Sequence, residues 1–188
     1  AESYSERIAV KIRTLELLSV LDMLCLVILI VIQTLAAMKM SVLNKLLEQR
    51  AYTDAHTGLP NKDACEVLLN NKETVAKHTA CMMFDLNNLK IINDTKGHSK
   101  GDQLILNFAR LLRNVIPQKD FVGRYGGDEF MVVIYNTSKT EIEDILKQLS
   151  REKDRLNSSG NNMPIDYACG WAISDADSEC TIQMLLDK

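Results

Sequence analysis

The chain has one tryptophan, no CxxC pair, no excess of basic residues and no internal repeat or low-complexity run. Each shortage narrows the function. Its five cysteines (Cys25, Cys65, Cys81, Cys169, Cys180) are odd in number and scattered, which argues against a disulfide framework or a zinc site and for a reducing compartment. A net charge of −3 over 188 residues lacks the basic face of a nucleic-acid binder, so no nucleic-acid partner is expected. Trp171 and the eight methionines read as core filler. What is present is a 46% hydrophobic chain, enough for one ordinary domain plus an appendage. It begins at Ala1 rather than Met and stops at Lys188 inside an amphipathic pattern of Ile182, Leu185 and Leu186. A fragment truncated at both ends is therefore expected.

Composition shifts near residue 38. Within the 21 residues from Leu17 to Ala37 only Ser19, Asp22, Gln33 and Thr34 are polar. As a helix this stretch would be about 31 Å long at ~1.5 Å per residue, close to a bilayer core. A coiled-coil stalk would show a narrow apolar stripe, whereas this segment is apolar on every face. The reading is a transmembrane helix over 17–37, preceded by a juxtamembrane tail (1–16) of a missing upstream region. Asp22 lies in the second turn, where its carboxylate can reach the interface. A signal peptide is the alternative, with Leu35-Ala36-Ala37 as cleavage region, but the stretch is long for one and its leader is acidic as well as basic. Charge leaves the orientation open: Arg7, Lys11 and Arg13 on one side balance Lys39, Lys45 and Arg50 on the other. Met40, Leu43 and Leu47 continue at helical spacing, so 38–50 reads as a helical linker able to pair with a second copy.

Beyond residue 51 strands alternate with helices. A turn-rich joint over 54–61 places Asn61 as N-cap of a helix over 62–69. A buried strand over 79–86 ends near Asp85, and a helix over 87–96 is interrupted at Gly97. Leu104, Phe108, Leu111, Leu112 and Val115 share one face of a long helix that Pro117 closes. A hairpin around 121–135, a charged helix over 139–156, a loop at 158–162, a strand over 165–173 and a helix from Thr181 complete the pattern. The expected fold class is α/β (α+β): a central mixed β-sheet flanked by helices, with one antiparallel hairpin and a long N-terminal helix before it.

The hairpin reads Arg124-Tyr125-Gly126-Gly127-Asp128-Glu129-Phe130. Taken alone it has two readings, an ordinary Gly-Gly turn with solubilising acids, or bare backbone at Gly126 and Gly127 beside carboxylates that suit a hard cation and a polyphosphate. Asp85 at the end of one strand and Asp128 at the tip of another would converge if the strands are neighbours. Paired acids at strand ends can hold Mg²⁺ beside a triphosphate. Lys90 could neutralise phosphate charge. Asn93 and Asp102 could bind the edge of guanine, the carboxylate accepting from N1–H and the exocyclic amine. Taken alone, Asp85 is more often a strand-end or cap acid, and the Asn-Asp and Gly-His segments are more often simple turn residues.

Together they form a pattern that resembles the GGDEF family, the diguanylate cyclases. Asp54-Ala55-His56-Thr57-Gly58-Leu59-Pro60-Asn61 is similar to the family's opening motif D-x-L-T-G-L-x-N, with His56 in place of Leu. Phe84-Asp85-Leu86-Asn87-Asn88-Leu89-Lys90-Ile91-Ile92-Asn93-Asp94 and Gly97-His98-Ser99-Lys100-Gly101-Asp102 match its strand–helix motif in order and spacing. The resemblance covers about residues 51–188. It implies condensation of two GTP into cyclic di-GMP with release of two pyrophosphates, by a homodimer meeting through its GGDEF domains and the 38–50 helix. By position, Asp85, the Leu86 carbonyl and Asp128 would hold Mg²⁺ (or Mn²⁺). Asn93 and Asp102 would read guanine with His98 nearby, Lys90 would stabilise phosphate charge, and Asp128 or Glu129 would accept the hydroxyl proton. Gly126 and Gly127 would let the nucleotide lie close.

The resemblance has departures. Pro117 stands where the family's product-inhibition site, R-x-x-D, has its Arg, although Asp120 is present, so feedback through that site is not expected. Asn87 and Asn88 replace the family's frequent Asp and Phe. The family's last helix carries basic residues that contact the triphosphate, and the chain stops before them. Because GTP is cytoplasmic, the resemblance implies a catalytic domain on the cytoplasmic side of the inner membrane, tethered through 17–37. Three rivals are a GGDEF module that binds GTP and regulates an attached domain, a dimerising membrane scaffold, and a cyclase making a mixed GMP–AMP product. Asp102 argues against the last.

Overall fold

The computed structural model describes residues 4–75, 78–159, 164–174 and 180–187. The chain divides into two compact units, Ala1–Gln49 and Arg50–Lys188. The first unit is helix α1, which runs from Tyr4 to Tyr52 and ends within the second. No proline or glycine interrupts those residues, so nothing in the backbone forces a break. The segments expected at 17–37 and 38–50 thus lie on one continuous helix. It is long and apolar enough to cross a membrane, and Leu24, Ile28 and Val31 are among its exposed side chains.

The second unit contains α2 (Lys62–Leu69), β1 (Ala80–Leu86), α3 (Leu89–Lys96), α4 (His98–Val115) and β2 (Phe121–Arg124). β3 (Glu129–Ile134), α5 (Lys139–Ser158), β4 (Tyr167–Ile173) and α6 (Ile182–Leu186) follow. The α+β class holds, with one correction: the described strands form an antiparallel sheet in the order β2-β3-β1-β4, not a mixed one. The reason is topological. The β1–helix–β2 crossover makes β1 and β2 run the same way, but the hairpin returns β3 into the slot between them. β1 likewise separates β3 from β4, giving a doubly split βαβ arrangement.

Alternate residues of each strand face opposite sides of the sheet, and both sides are covered. Met82, Phe84, Leu86, Phe130, Val132 and Ile134 pack with Leu104, Phe108, Leu111 and Leu112 of α4 and Ile142 and Leu149 of α5. Cys81, Met131 and Val133 face the other way, against Cys65 and Leu69 of α2 and Ile182 and Leu185 of α6. Double burial explains why β3 reads as an unbroken apolar run after Glu129. Caps sit where the side chains allow: Asn61 accepts from the Ala64 amide, Ser138 and Glu141 form a capping box, and Thr181 caps α6. α3 starts at Leu89 rather than 87 because Asn88 adopts φ 64°. The loop expected at 158–162 lies partly outside the described residues.

Phe108 is the hinge of the larger core. Its ring lies 5.9, 5.0 and 5.2 Å from those of Phe84, Phe130 and Tyr167, joining α4 to β1, β3 and β4. Phe108→Ala should cost about 3–5 kcal/mol. Denaturant unfolding followed by Trp171 fluorescence should then show a lower midpoint at unchanged slope. An unshifted midpoint would contradict this packing.

Candidate functional site

Three elements build the site: the end of β1, the β2–β3 connection and the α3–α4 corner. β1 and β3 are neighbours, as convergence of their acids requires. The register sets Asp85 opposite Glu129, and the Leu86 amide donates to the Asp128 carbonyl at 2.9 Å. Leu86 and Asp128 therefore form a hydrogen-bonded pair, which makes Asp85 and Glu129 a non-hydrogen-bonded pair. In such pairs the side chains are closest, with Cβ atoms about 4.5–5.5 Å apart. Both acids are exposed and line a cavity of about 310 Å³ with Met83, Phe84, Ala168, Cys169 and Gly170. Asp128, half-buried, comes immediately before Glu129.

The connection between β2 and β3 is four residues, Tyr125 to Asp128, closed by the Tyr125 amide donating to the Glu129 carbonyl at 2.8 Å. Neither Gly126 nor Gly127 has a positive φ. Their lack of Cβ matters for space instead. A Cβ on Gly126 would meet Glu129 Oε2 at 2.5 Å, whereas one on Gly127 would meet nothing within 4 Å. Gly126 thus makes room for the Glu129 carboxylate, and Gly127 leaves open backbone.

Arg124 holds this connection in place. Its Nε donates to the Gly126 carbonyl (3.2 Å) and its Nη2 to the Gly127 carbonyl (2.8 Å). Nη1 lies 3.3 Å from both Asp54 carboxylate oxygens. Partial burial pushes the Asp54 carboxyl up, but hydrogen bonds from the Thr57 hydroxyl and amide, with the Arg124 charge, outweigh it and hold the group below its ordinary value. Lys62 lies over the Tyr125 ring at 5.9 Å, a second tie between α2 and the connection.

At the α3–α4 corner, Gly97 (φ 87°) ends one helix and begins the next. Asn93 is half-buried and packs on Gly101 so closely that a Cβ there would overlap its Oδ1. Asp102 follows, exposed, and its carbonyl accepts from His56 Nε2 at 2.9 Å. Lys90 and His98 are exposed on α3 and at the start of α4. The structure thus brings Asp85 together with Glu129, and Asn93 together with the Gly101–Asp102 backbone. Among the described contacts none joins Lys90 or His98 to either group. Arg124, Gly101 and His56 had no role in the sequence reading. Arg124 precedes the glycines directly, and an acid as its partner was the one available signal.

The donor set suits a hard cation shared with a phosphate. Two like charges directly opposite on a sheet repel, and a divalent ion between them would relieve that repulsion. Among the described residues no three His, Cys, Asp or Glu side chains stand close enough to hold an ion alone. Burial pushes the nearby Cys169 thiol up to about 12 and the Cys81 thiol up to about 11, away from the thiolate form.

Comparison with known proteins identifies the family and the fold. A family model described as "Diguanylate cyclase, GGDEF domain" matches residues 51–188. Diguanylate cyclase DgcP of Pseudomonas aeruginosa is 36% identical over 131 residues, 67% of this chain and 19% of that protein. Cyclic di-GMP phosphodiesterase PdeB of Shewanella oneidensis is 35% identical over 103 residues, 55% of this chain and 12% of that protein. The chain therefore spans less than a fifth of either relative. A solved microbial GGDEF domain, described with bis-(3,5)-cyclic di-GMP, superposes with a TM-score of 0.62 at 26% identity, covering 75% of this chain and 86% of that one.

The Asp54–Arg124 pair makes a pH prediction. The folded pKa of Asp54 lies below its unfolded value of about 3.9, so its stabilisation is present above that pH and lost as pH falls through the folded value. Asp54→Asn should therefore flatten the acid limb of the stability–pH curve, and Arg124→Ala should cost about 1–3 kcal/mol at neutral pH. An acid limb unchanged in Asp54→Asn would rule the pair out as its source.

Proposed function

The chain belongs to the GGDEF family, and from that premise we propose that it is a diguanylate cyclase that condenses two GTP into cyclic di-GMP and two pyrophosphates. The observation that carries the reading is the Asp85–Glu129 pair at one end of the sheet beside the open Gly127 backbone. Asp85, the Leu86 carbonyl and Asp128 would hold Mg²⁺ (or Mn²⁺), with Glu129 as the carboxylate facing Asp85. When bound, that ion neutralises phosphate charge and makes the attacking hydroxyl more acidic. Asp128 or Glu129 accepts the proton as the 3′-oxygen bonds to the α-phosphorus of the other nucleotide. The bond from that phosphorus to the bridging oxygen breaks, and pyrophosphate leaves. Lys90 offsets charge on the phosphates. Asn93 and Asp102 bind guanine with His98 nearby, and Gly126 and Gly127 admit the triphosphate.

Each domain presents one GTP, so the active form is a homodimer, paired through the domains and the 38–50 stretch of α1. The 17–37 stretch tethers it to the inner membrane with the domain in the cytoplasm, where GTP is.

GTP turnover with Mg²⁺ by the dimer tests the reading, with cyclic di-GMP and two pyrophosphates as the expected products. Asp128→Ala should lower the rate at least 100-fold, a typical loss for an acid–base group. A confirmed dimer that makes no cyclic di-GMP would exclude the enzyme and leave a second reading, a GTP-binding module that regulates an attached domain. The match to a protein named as a phosphodiesterase favours that alternative.

Gly101→Ala separates function from folding. The added Cβ would displace the amide of Asn93 and press on Leu89 Cδ1 at 3.1 Å, so the preference for GTP over ATP should fall while the melting temperature drops by a few degrees at most. A large loss of stability with preference intact would contradict Asn93 as a guanine reader.

A further inference from the structure

We propose that His56 is a positioning residue for guanine recognition, acting through the backbone of Asp102; the inference rests on the reading of Asp102 given above. The N-cap of α4 is Gly97, which has no side chain to make a cap bond. In its first turn the amides of Lys100 and Gly101 donate to the Gly97 carbonyl, at 3.0 and 3.4 Å. A start without a side-chain cap gains definition from any further bond that fixes it. Asp102 lies just past that turn and is exposed, so packing does not aim its carboxylate.

His56 supplies the missing restraint from 46 residues away in sequence. Its Nε2 lies 2.9 Å from the Asp102 carbonyl oxygen. A carbonyl only accepts, so Nε2 carries the proton, and the helical carbonyl has a second lone pair free for it. The loop bearing His56 is itself rigid. Asp54 accepts from the Thr57 amide at 2.8 Å and hydroxyl at 2.6 Å, Arg113 Nη2 of α4 donates to the Gly58 carbonyl at 3.2 Å, and the Asp54 amide donates to the Leu59 carbonyl at 2.8 Å. A side chain anchored on such a loop fixes the start of α4 relative to Asp54, and through Asp54 and Arg124 relative to the glycine connection. Leu, which stands at this position in the family's motif, has no donor and cannot make the bond.

The test uses the full 188-residue chain in detergent. Equilibrium binding of a non-hydrolysable GTP analogue is compared with its inosine counterpart, which lacks the exocyclic amine. His56→Leu should weaken the guanine analogue about five-fold more than the inosine analogue, which keeps N1–H but lacks the amine, a difference worth one hydrogen bond. In turnover the loss should fall on KM rather than kcat. His56→Gln, which keeps a donor at similar reach, should restore the discrimination. A guanine-to-inosine ratio unchanged in His56→Leu, or not rescued by Gln, overturns the proposal. Asp102→Ala distinguishes the failures. If it abolishes discrimination while His56→Leu does not, only the role of His56 falls. If it leaves discrimination unchanged, the guanine-reading role of Asp102 falls and this proposal with it.

Discussion

The site depends on one guanidinium. Arg124 bonds two consecutive carbonyls of the β2–β3 connection and, through Nη1, the Asp54 carboxylate on a different loop. Gly126 and Gly127 contribute no side chain that could hold their own backbone, so the four-residue turn is shaped from outside. The side chains of the pair are only 16% and 22% exposed, which keeps water from screening the contact as it would at the surface. The sheet supplies the strands, but this contact decides where the turn between them sits.

Register is the second constraint. The facing of Asp85 and Glu129 follows from the β1–β3 ladder, in which every position from Ala80↔Ile134 to Asp85↔Glu129 is specified. A slip of β3 by one residue would carry Met131 and Val133 from the α2–α6 side to the α4–α5 side and reverse the burial of the whole strand. The apolar residues that fill the two cores therefore also fix which acids meet. Phe130 makes the point locally: its ring is held 5.0 Å from Phe108, and its neighbour Glu129 is forced to the opposite face.

Periodicity made most of the fold legible, because it reports burial directly. The α4 stripe from Leu104 to Val115, the Asn61 cap and the Pro117 stop all have short-range causes. The sheet order was not legible, because the insertion of β3 between two co-directional strands leaves no local trace, and a mixed sheet was expected for that reason. In the site, Asp85, Asn93 and Asp102 could be picked out as chemistry-bearing side chains. Gly101, Arg124 and His56 could not, since their roles consist of a contact with Asn93 and of bonds to backbone carbonyls. Carbonyls have no sequence identity, so a side chain that serves one is invisible until the fold is in hand.

The same logic bears on the paired acids. Two carboxylates facing each other on neighbouring strands cost the sheet about 0.2–1 kcal/mol. A scaffold selected only for stability would place a Lys or Thr at one of the two positions. Here the repulsion is confined to the last pair of the ladder, where both side chains reach solvent, while all inner pairs are apolar or small. A cation held between the two carboxylates would relieve that repulsion. Deeper in the ladder the desolvation of two charges would exceed what one ion could return.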